Sequence, residues 1–162
     1  MKTLTLAAMA AAFGLALVHP TASIARGGPQ LPLEIEAGTS EAIVLDGEAL
    51  AALPTTGFET TTPWTEGPTR FEGVPLSVLI DRFGIQGETI EATALNDYSV
   101  TLPATDENGF DPLVAYKVNG EYISVRDKGP FWIVYPFDSD DRLASEAYYS
   151  RSIWQLNRLS AR

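Results

Sequence analysis

The chain has 162 residues, no cysteine, one histidine and two methionines, and its 11 basic and 21 acidic residues give a formal charge of −10. His19, Met1 and Met9 all lie in the first two dozen residues. The remainder therefore lacks the imidazole and thiol groups that build Ser-His-Asp triads and zinc, haem or iron–sulfur sites, and its acidity argues against nucleic-acid binding.

Lys2, the apolar run Leu4 to Val18 and the small residues Thr21 to Ala25 have the three-part layout of a secretory signal. The apolar run is shorter than the ~20 residues of a membrane span. Residues 1–25 are thus read as a signal peptide that sends the mature chain to a periplasm. Cleavage near Ala25 removes Lys2 and takes the charge from −10 to −11. Residues 26–32, with two Gly and two Pro, read as a flexible arm, and residues 33–162 as one domain.

Ala42 to Leu45 followed by Asp46-Gly47 predicts a short strand and turn, and Glu48 to Leu53 one or two helical turns stopped by Pro54. Thr55 to Glu72, poor in aliphatics and rich in Thr, Gly and Pro, reads as a long ordered loop or irregular edge. Apolar residues at 76, 79, 80 and 83, between Gly73 and Gly84, predict a helix over Pro75 to Phe83. Thr89 to Leu95 and Tyr98 to Leu102 read as strands around Asn96-Asp97, and Asp106 to Gly109 as a turn. Leu113 to Val118 and Glu121 to Val125 form a hairpin across Asn119-Gly120, because Asn-Gly supplies the positive φ angles of a two-residue turn. Phe131 to Tyr135 predicts a buried strand, Ser139 to Tyr148 a polar helix or loop, and Ser152 to Leu159 a closing strand. The fold class is α+β: a single domain with a mixed or barrel-like sheet and a few short helices.

Asp138, Asp140 and Asp141, like the acids between Asp106 and Asp111, do not match the EF-hand spacing and read as solvated turns. No glycine pattern matches a nucleotide loop, and no carboxylate pair stands out for glycoside hydrolysis.

Four pieces occur in order: Phe71-Glu72-Gly73-Val74-Pro75-Leu76, then Ala94-Leu95-Asn96-Asp97-Tyr98, then Asp127-Lys128-Gly129-Pro130-Phe131-Trp132-Ile133-Val134-Tyr135-Pro136, then Ser152-Ile153-Trp154-Gln155-Leu156. Together they resemble the molybdopterin-binding domain of the sulfite oxidase type, in its small exported version, over roughly residues 33–160. The resemblance implies a molybdenum-ligating cysteine in the loop before Gly-Val-Pro-Leu, where this chain reads Glu59-Thr60-Thr61-Thr62-Pro63-Trp64. A threonine hydroxyl does not replace a soft thiolate. Cysteine-free relatives look like periplasmic pterin-binding regulators of membrane proteins that make or degrade cyclic di-GMP. A non-catalytic pterin sensor with such a partner is therefore the leading expectation. A molybdopterin-dependent oxidoreductase with a non-cysteine metal ligand and a ligand-free interaction module are the alternatives.

A planar pterin needs an aromatic wall and an acceptor for its adjacent N–H groups. Trp64 and Tyr98 are candidates for the faces, with Trp154 behind them and Trp132 read as core. Asp97 is the candidate acceptor, or else only a turn residue, and Asn96 either bonds the ring or shapes the turn. Arg70, Arg126, Lys128 and Arg151 are candidates for ring oxygens or a phosphate, and Tyr135 completes the expected ligand set.

Overall fold

A computed structural model describes residues 28–38 and 41–162. The expected signal peptide and the start of the arm lie outside the described residues. Among those described, no helix is long and apolar enough to cross a membrane.

Ten strands form one curled half-barrel sheet. In chain order they are β1 (Leu33–Glu36), β2 (Ile43–Leu45), β3 (Thr56–Thr60), β4 (Thr69–Pro75), β5 (Thr89–Ala94), β6 (Ser99–Pro103), β7 (Leu113–Val118), β8 (Glu121–Tyr122), β9 (Phe131–Val134) and β10 (Trp154–Ala161). The main path runs β2-β1-β10-β9-β7-β4-β3, with β5 and β6 branching from β10 and β8 from β7. Only the β1–β10 pairing is parallel among these ladders, so the sheet is mixed. Three short helices accompany it: α1 (Gly47–Ala51), α2 (Leu76–Phe83) and α3 (Glu146–Arg151).

β10 pairs with β9 through Trp154 and Leu156, then with β1 from Arg158 onward. A register shift between Leu156 and Arg158 marks the change on the β5 side too. Bulges of this kind bend a strand and raise its twist. Here the bend carries one strand from one half of the sheet to the other. Phe71, Leu79, Ile90, Leu113, Phe131, Ile133, Leu156 and Leu159 are fully buried inside the curl.

Local sequence explains most element ends. Asp46 caps α1 by accepting from the Glu48 and Ala49 N–H groups. Gly84, at φ 63°, ends α2 in the left-handed conformation, its N–H bonded into the last turn at Ile80. Asn119 and Gly120, at φ 51° and 85°, make the expected tight turn between β7 and β8. The helix-or-loop segment after Pro136 resolves into two single turns of 3-10 helix, at Phe137–Ser139 and Asp141–Leu143, followed by α3.

Three expectations change. The segment from Thr55 to Glu72 is mostly a hairpin, with β3 paired to β4 from Thr56↔Gly73 to Thr60↔Thr69, and only residues 61–68 are loop. Its threonines suit a pleated strand, and aliphatics are few because β3 is an edge with one neighbour. The strand expected to reach Val125 stops at Tyr122, since Ser124 caps a 3-10 turn at Val125–Asp127. β1 was not singled out by the sequence, because four alternating residues beside Pro32 carry little signal alone.

Gly73 sits at a second bulge, where β4 shifts register against β7. A Cβ there would lie 2.2 Å from the Val114 carbonyl oxygen and 2.6 Å from Ala115 Cα. Both obstacles are backbone. Gly73→Ala is therefore expected to cost about 1–3 kcal/mol of folding stability, read as a lower urea midpoint; an unchanged midpoint would show that the bulge relaxes freely.

Candidate functional site

The loop between β3 and β4 carries Trp64. Thr61 is held to Asp138, whose carboxylate accepts from the Thr61 N–H at 2.6 Å and from the Thr61 hydroxyl. In return the Asp138 N–H donates to the Thr60 hydroxyl at 3.0 Å. Thr62 bonds the Thr65 hydroxyl at 2.9 Å and accepts from the Trp64 N–H at 3.1 Å. Thr60, Thr61 and Thr62 are thus all engaged in holding the loop.

So held, Trp64 is half-buried among four rings. Its centroid lies 5.6 Å from Trp154, 5.9 Å from Tyr149, 6.1 Å from Trp132 and 6.2 Å from Phe137. These tilted and edge-on contacts are the arrangements that aromatic quadrupoles favour. Trp132 is fully buried, as its place in β9 predicts, and its indole N–H has no hydrogen-bond partner among the described residues.

Trp64 forms one side of a cleft of about 290 Å³, close to the small end of the ~300–1,000 Å³ typical of ligand sites. The β5–β6 turn supplies Ala94, Asn96 and Tyr98, and the path from α3 into β10 supplies Tyr149, Ser150, Ser152, Ile153, Trp154 and Gln155. Tyr98 and Trp154 are exposed, at 57% and 39%. None of these ten lining residues is charged.

Backbone bonds join the walls. The Leu95 N–H donates to the Gln155 carbonyl at 2.9 Å, and the Gln155 N–H to the Lys128 carbonyl at 2.9 Å. Gln155 itself stands at φ 53°, in the left-handed region that is unusual for a residue with a side chain.

The structure therefore brings Trp64, Asn96, Tyr98 and Trp154 into one cleft and places the other six expected residues elsewhere. Asp97 is exposed at φ 63°, flanked by two lining residues without lining the cleft itself. Its N–H donates to the Ala94 carbonyl at 3.0 Å, which is turn work. Arg70 lies on β4, exposed and paired with Glu72 at 3.0 Å. Arg126 is exposed in the 3-10 turn. Lys128 sits outside the lining, with its Nζ 5.7 Å from the centre of the Trp132 ring.

Tyr135 lines a second, smaller cavity of about 130 Å³ together with Asp106, and Arg151 is tied to that Asp106 rather than to the Trp64 cleft. The buried Asp106 carboxylate accepts from Arg151 Nη1 at 3.3 Å, from the Tyr148 hydroxyl at 3.1 Å, and from the Asn108 N–H at 2.9 Å. Burial raises the Tyr135 phenol well above its ordinary value, and the nearby Arg151 charge opposes that shift. Burial likewise raises Tyr148. Neither phenol ionises at neutral pH.

Two of the aspartates that read as solvated turns make specific side-chain contacts. Asp138 holds the Trp64 loop, and Asp140 forks onto Arg142, whose hydrogen bonds lower its carboxyl to about 2. The sequence did not single out Tyr149, Ser150 or Ser152 for the cleft. The available signal was their continuity with Arg151 and Trp154. Their roles depend on how α3 turns into β10, which no local pattern states.

Hydrogen bonds from the Thr61 hydroxyl and then its N–H hold the Asp138 carboxyl below its usual value, against a smaller opposing effect of desolvation. A depressed folded value means that the contribution is present above the unfolded value near 4 and is lost as pH falls through the folded one. Acid titration is therefore expected to loosen the Trp64 loop below about pH 4. Near-ultraviolet circular dichroism should report this as a loss of aromatic signal. Asp138→Asn should show the loosened signal already at neutral pH; a wild-type signal in that variant would sink the assignment.

No family model and no curated protein matches the sequence. Among solved structures, the sulfane dehydrogenase SoxCD from Paracoccus pantotrophus superposes with a TM-score of 0.60 at 20% identity, over 82% of this chain and 38% of that one. This chain thus spans well under half the length of that neighbour. The likeness supports the sulfite oxidase-like fold expected from the four sequence pieces, and at this identity the fold is all that it shows.

Proposed function

We propose that this protein is an exported, non-catalytic binding protein whose Trp64 cleft takes a planar heterocycle of the pterin type. The observation that carries this reading is the cleft itself: an aromatic-walled space of about 290 Å³ with polar but uncharged lining, beside a loop without a soft metal donor. Ring faces stack on Trp64, Tyr98 and Trp154, and the amides and hydroxyls serve the ring edge.

The donor set does not fit molybdenum. Thr60, Thr61 and Thr62 are hard, neutral groups already committed to Asp138 and Thr65, whereas the metal asks for a thiolate. The phosphate of a complete molybdopterin meets no cation among the lining residues either.

By the resemblance of its sequence, occupancy of the cleft is read by the periplasmic domain of a membrane signalling protein. Such a signal requires that empty and occupied forms differ in affinity for the partner. The test is direct. Protein purified from the periplasm of its native host is acid-denatured, and the supernatant is analysed for fluorescent pterins and for molybdenum. A bound pterin without stoichiometric metal is expected. Folded protein that carries no pterin, and whose tryptophan fluorescence does not respond to added pterin, would overturn the reading; stoichiometric molybdenum would restore the oxidoreductase alternative.

A further inference from the structure

We infer that the cleft recognises a neutral lactam edge, a ring N–H beside a ring carbonyl, through the paired amides of Asn96 and Gln155. This rests on the proposed pterin-type reading of the same cleft and specifies which edge of the ring is read.

The orientation of both amides is set by backbone partners whose chemistry is unambiguous. The Tyr98 backbone N–H donates to the Asn96 side chain at 3.2 Å. A backbone N–H only donates, so the atom facing it is the amide oxygen and the NH2 end of Asn96 is turned away. The Gln155 side chain meets the Val125 carbonyl at 2.9 Å. A carbonyl only accepts, so the NH2 end of Gln155 is committed there and its oxygen is the free end. Among the described residues neither free end has a hydrogen-bond partner. Both residues line the cleft, so a free donor on Asn96 and a free acceptor on Gln155 belong to adjoining walls, which the Leu95–Gln155 backbone bond at 2.9 Å holds together.

The serines extend the acceptor side. The Ser150 and Ser152 hydroxyls donate to the Ala147 and Tyr148 carbonyls, each at 3.0 Å, leaving only lone pairs for a ligand. A ring edge with adjacent N–H donors next to a carbonyl matches this set, and an anionic edge does not. With no charged lining residue, a ligand phosphate or carboxylate enclosed here would lack a counter-charge, which is costly. The ligand is thus the uncharged ring system, and Asp97 is not needed as its acceptor.

Two comparisons test this by tryptophan fluorescence quenching and calorimetry. Wild-type protein is titrated with pterin and with 3-methylpterin, in which the lactam N–H is replaced by N–CH3. The Asn96→Asp variant keeps an oxygen for the Tyr98 N–H, and hence the turn, but presents an anionic oxygen where the NH2 donor stood. Methylation and the substitution are each expected to weaken binding about 10–100-fold, with the thermal midpoint of the variant unchanged. Equal affinity for the two pterins, or wild-type affinity in Asn96→Asp, would overturn the lactam reading while pterin binding itself stands. Should the variant misfold, the methylated ring on wild-type protein still decides. Wild-type protein that binds neither compound would overturn the underlying pterin reading, and this inference with it.

Discussion

Trp64→Ala is expected to abolish pterin binding and to lower folding stability by about 2–3 kcal/mol. The stability loss follows from position: the indole touches the rings of Trp132, Phe137, Tyr149 and Trp154. Truncating a fully buried Trp costs about 3–5 kcal/mol, and the partial exposure of this one brings the expected loss below that range. A domain stable by ~5–15 kcal/mol survives that loss, so binding remains measurable. The binding loss comes from removing the ring that packs edge-on against both Tyr149 and Trp154 and forms one aromatic wall of a small cleft; of the remaining rings, Tyr98 and Trp154 are exposed to solvent at 57% and 39%. Trp64→Phe separates the two effects, because a smaller ring retains much of the packing and part of the wall. Urea unfolding and calorimetric titration on the same preparations check both. Wild-type affinity in Trp64→Ala would remove the cleft from consideration, whatever the stability result.

The second large effect is expected at Asp106. Its side chain is 3% exposed, and its carboxylate gathers two backbone N–H groups, a phenol and a guanidinium from two separate segments. Asp106→Ala strands those donors. Breaking a buried ion pair costs about 3–5 kcal/mol, but Arg151 retains 26% exposure and part of its hydration, so about 3 kcal/mol is expected. Asp106→Asn keeps one acceptor and loses the charge for Arg151, which places it between the wild type and the alanine variant. Because α3 carries Tyr149 and Ser150 and leads directly into Ser152 to Gln155, the affinity of the cleft should fall along with the urea midpoint. A variant with an unchanged midpoint would show that α3 is anchored by its apolar contacts alone, and an unchanged affinity would separate this network from the cleft.

Much of the fold was legible because its signals are local. The spacing that predicts a helix over Pro75 to Phe83 matches α2, whose buried residues include Leu76 and Leu79. The apolar run at Phe131 matches β9, buried along its whole length, and Asn119-Gly120 makes its turn at positive φ. The β3–β4 hairpin was not legible, because edge-strand threonines and loop threonines look alike until a partner strand is present. β1 was not legible for the same reason: its four residues become a strand only by lying parallel to β10, 124 residues away at Glu36↔Ser160. Pairing over such separations depends on chain closure that no local window contains.

The candidate site divides along the same line. From the residues alone came the absence of a thiolate and the aromatic inventory, since chemistry that needs cysteine is excluded by composition without any coordinates. Side-chain type likewise nominated Trp64, Asn96, Tyr98 and Trp154. Only the tertiary structure decided that Arg70, Arg126, Tyr135 and Arg151 lie outside the cleft, and that Tyr149, the two serines and Gln155 complete it. The physical reason is that a cleft is a relation between surfaces. Here a hydrogen bond from residue 95 to 155 joins the β5–β6 turn to the bulged start of β10, and one from residue 61 to 138 ties the threonine-held loop to the 3-10 turn after β9, which sets Trp64 against Trp154. Neither bond leaves any trace in the order of residues on either side of it.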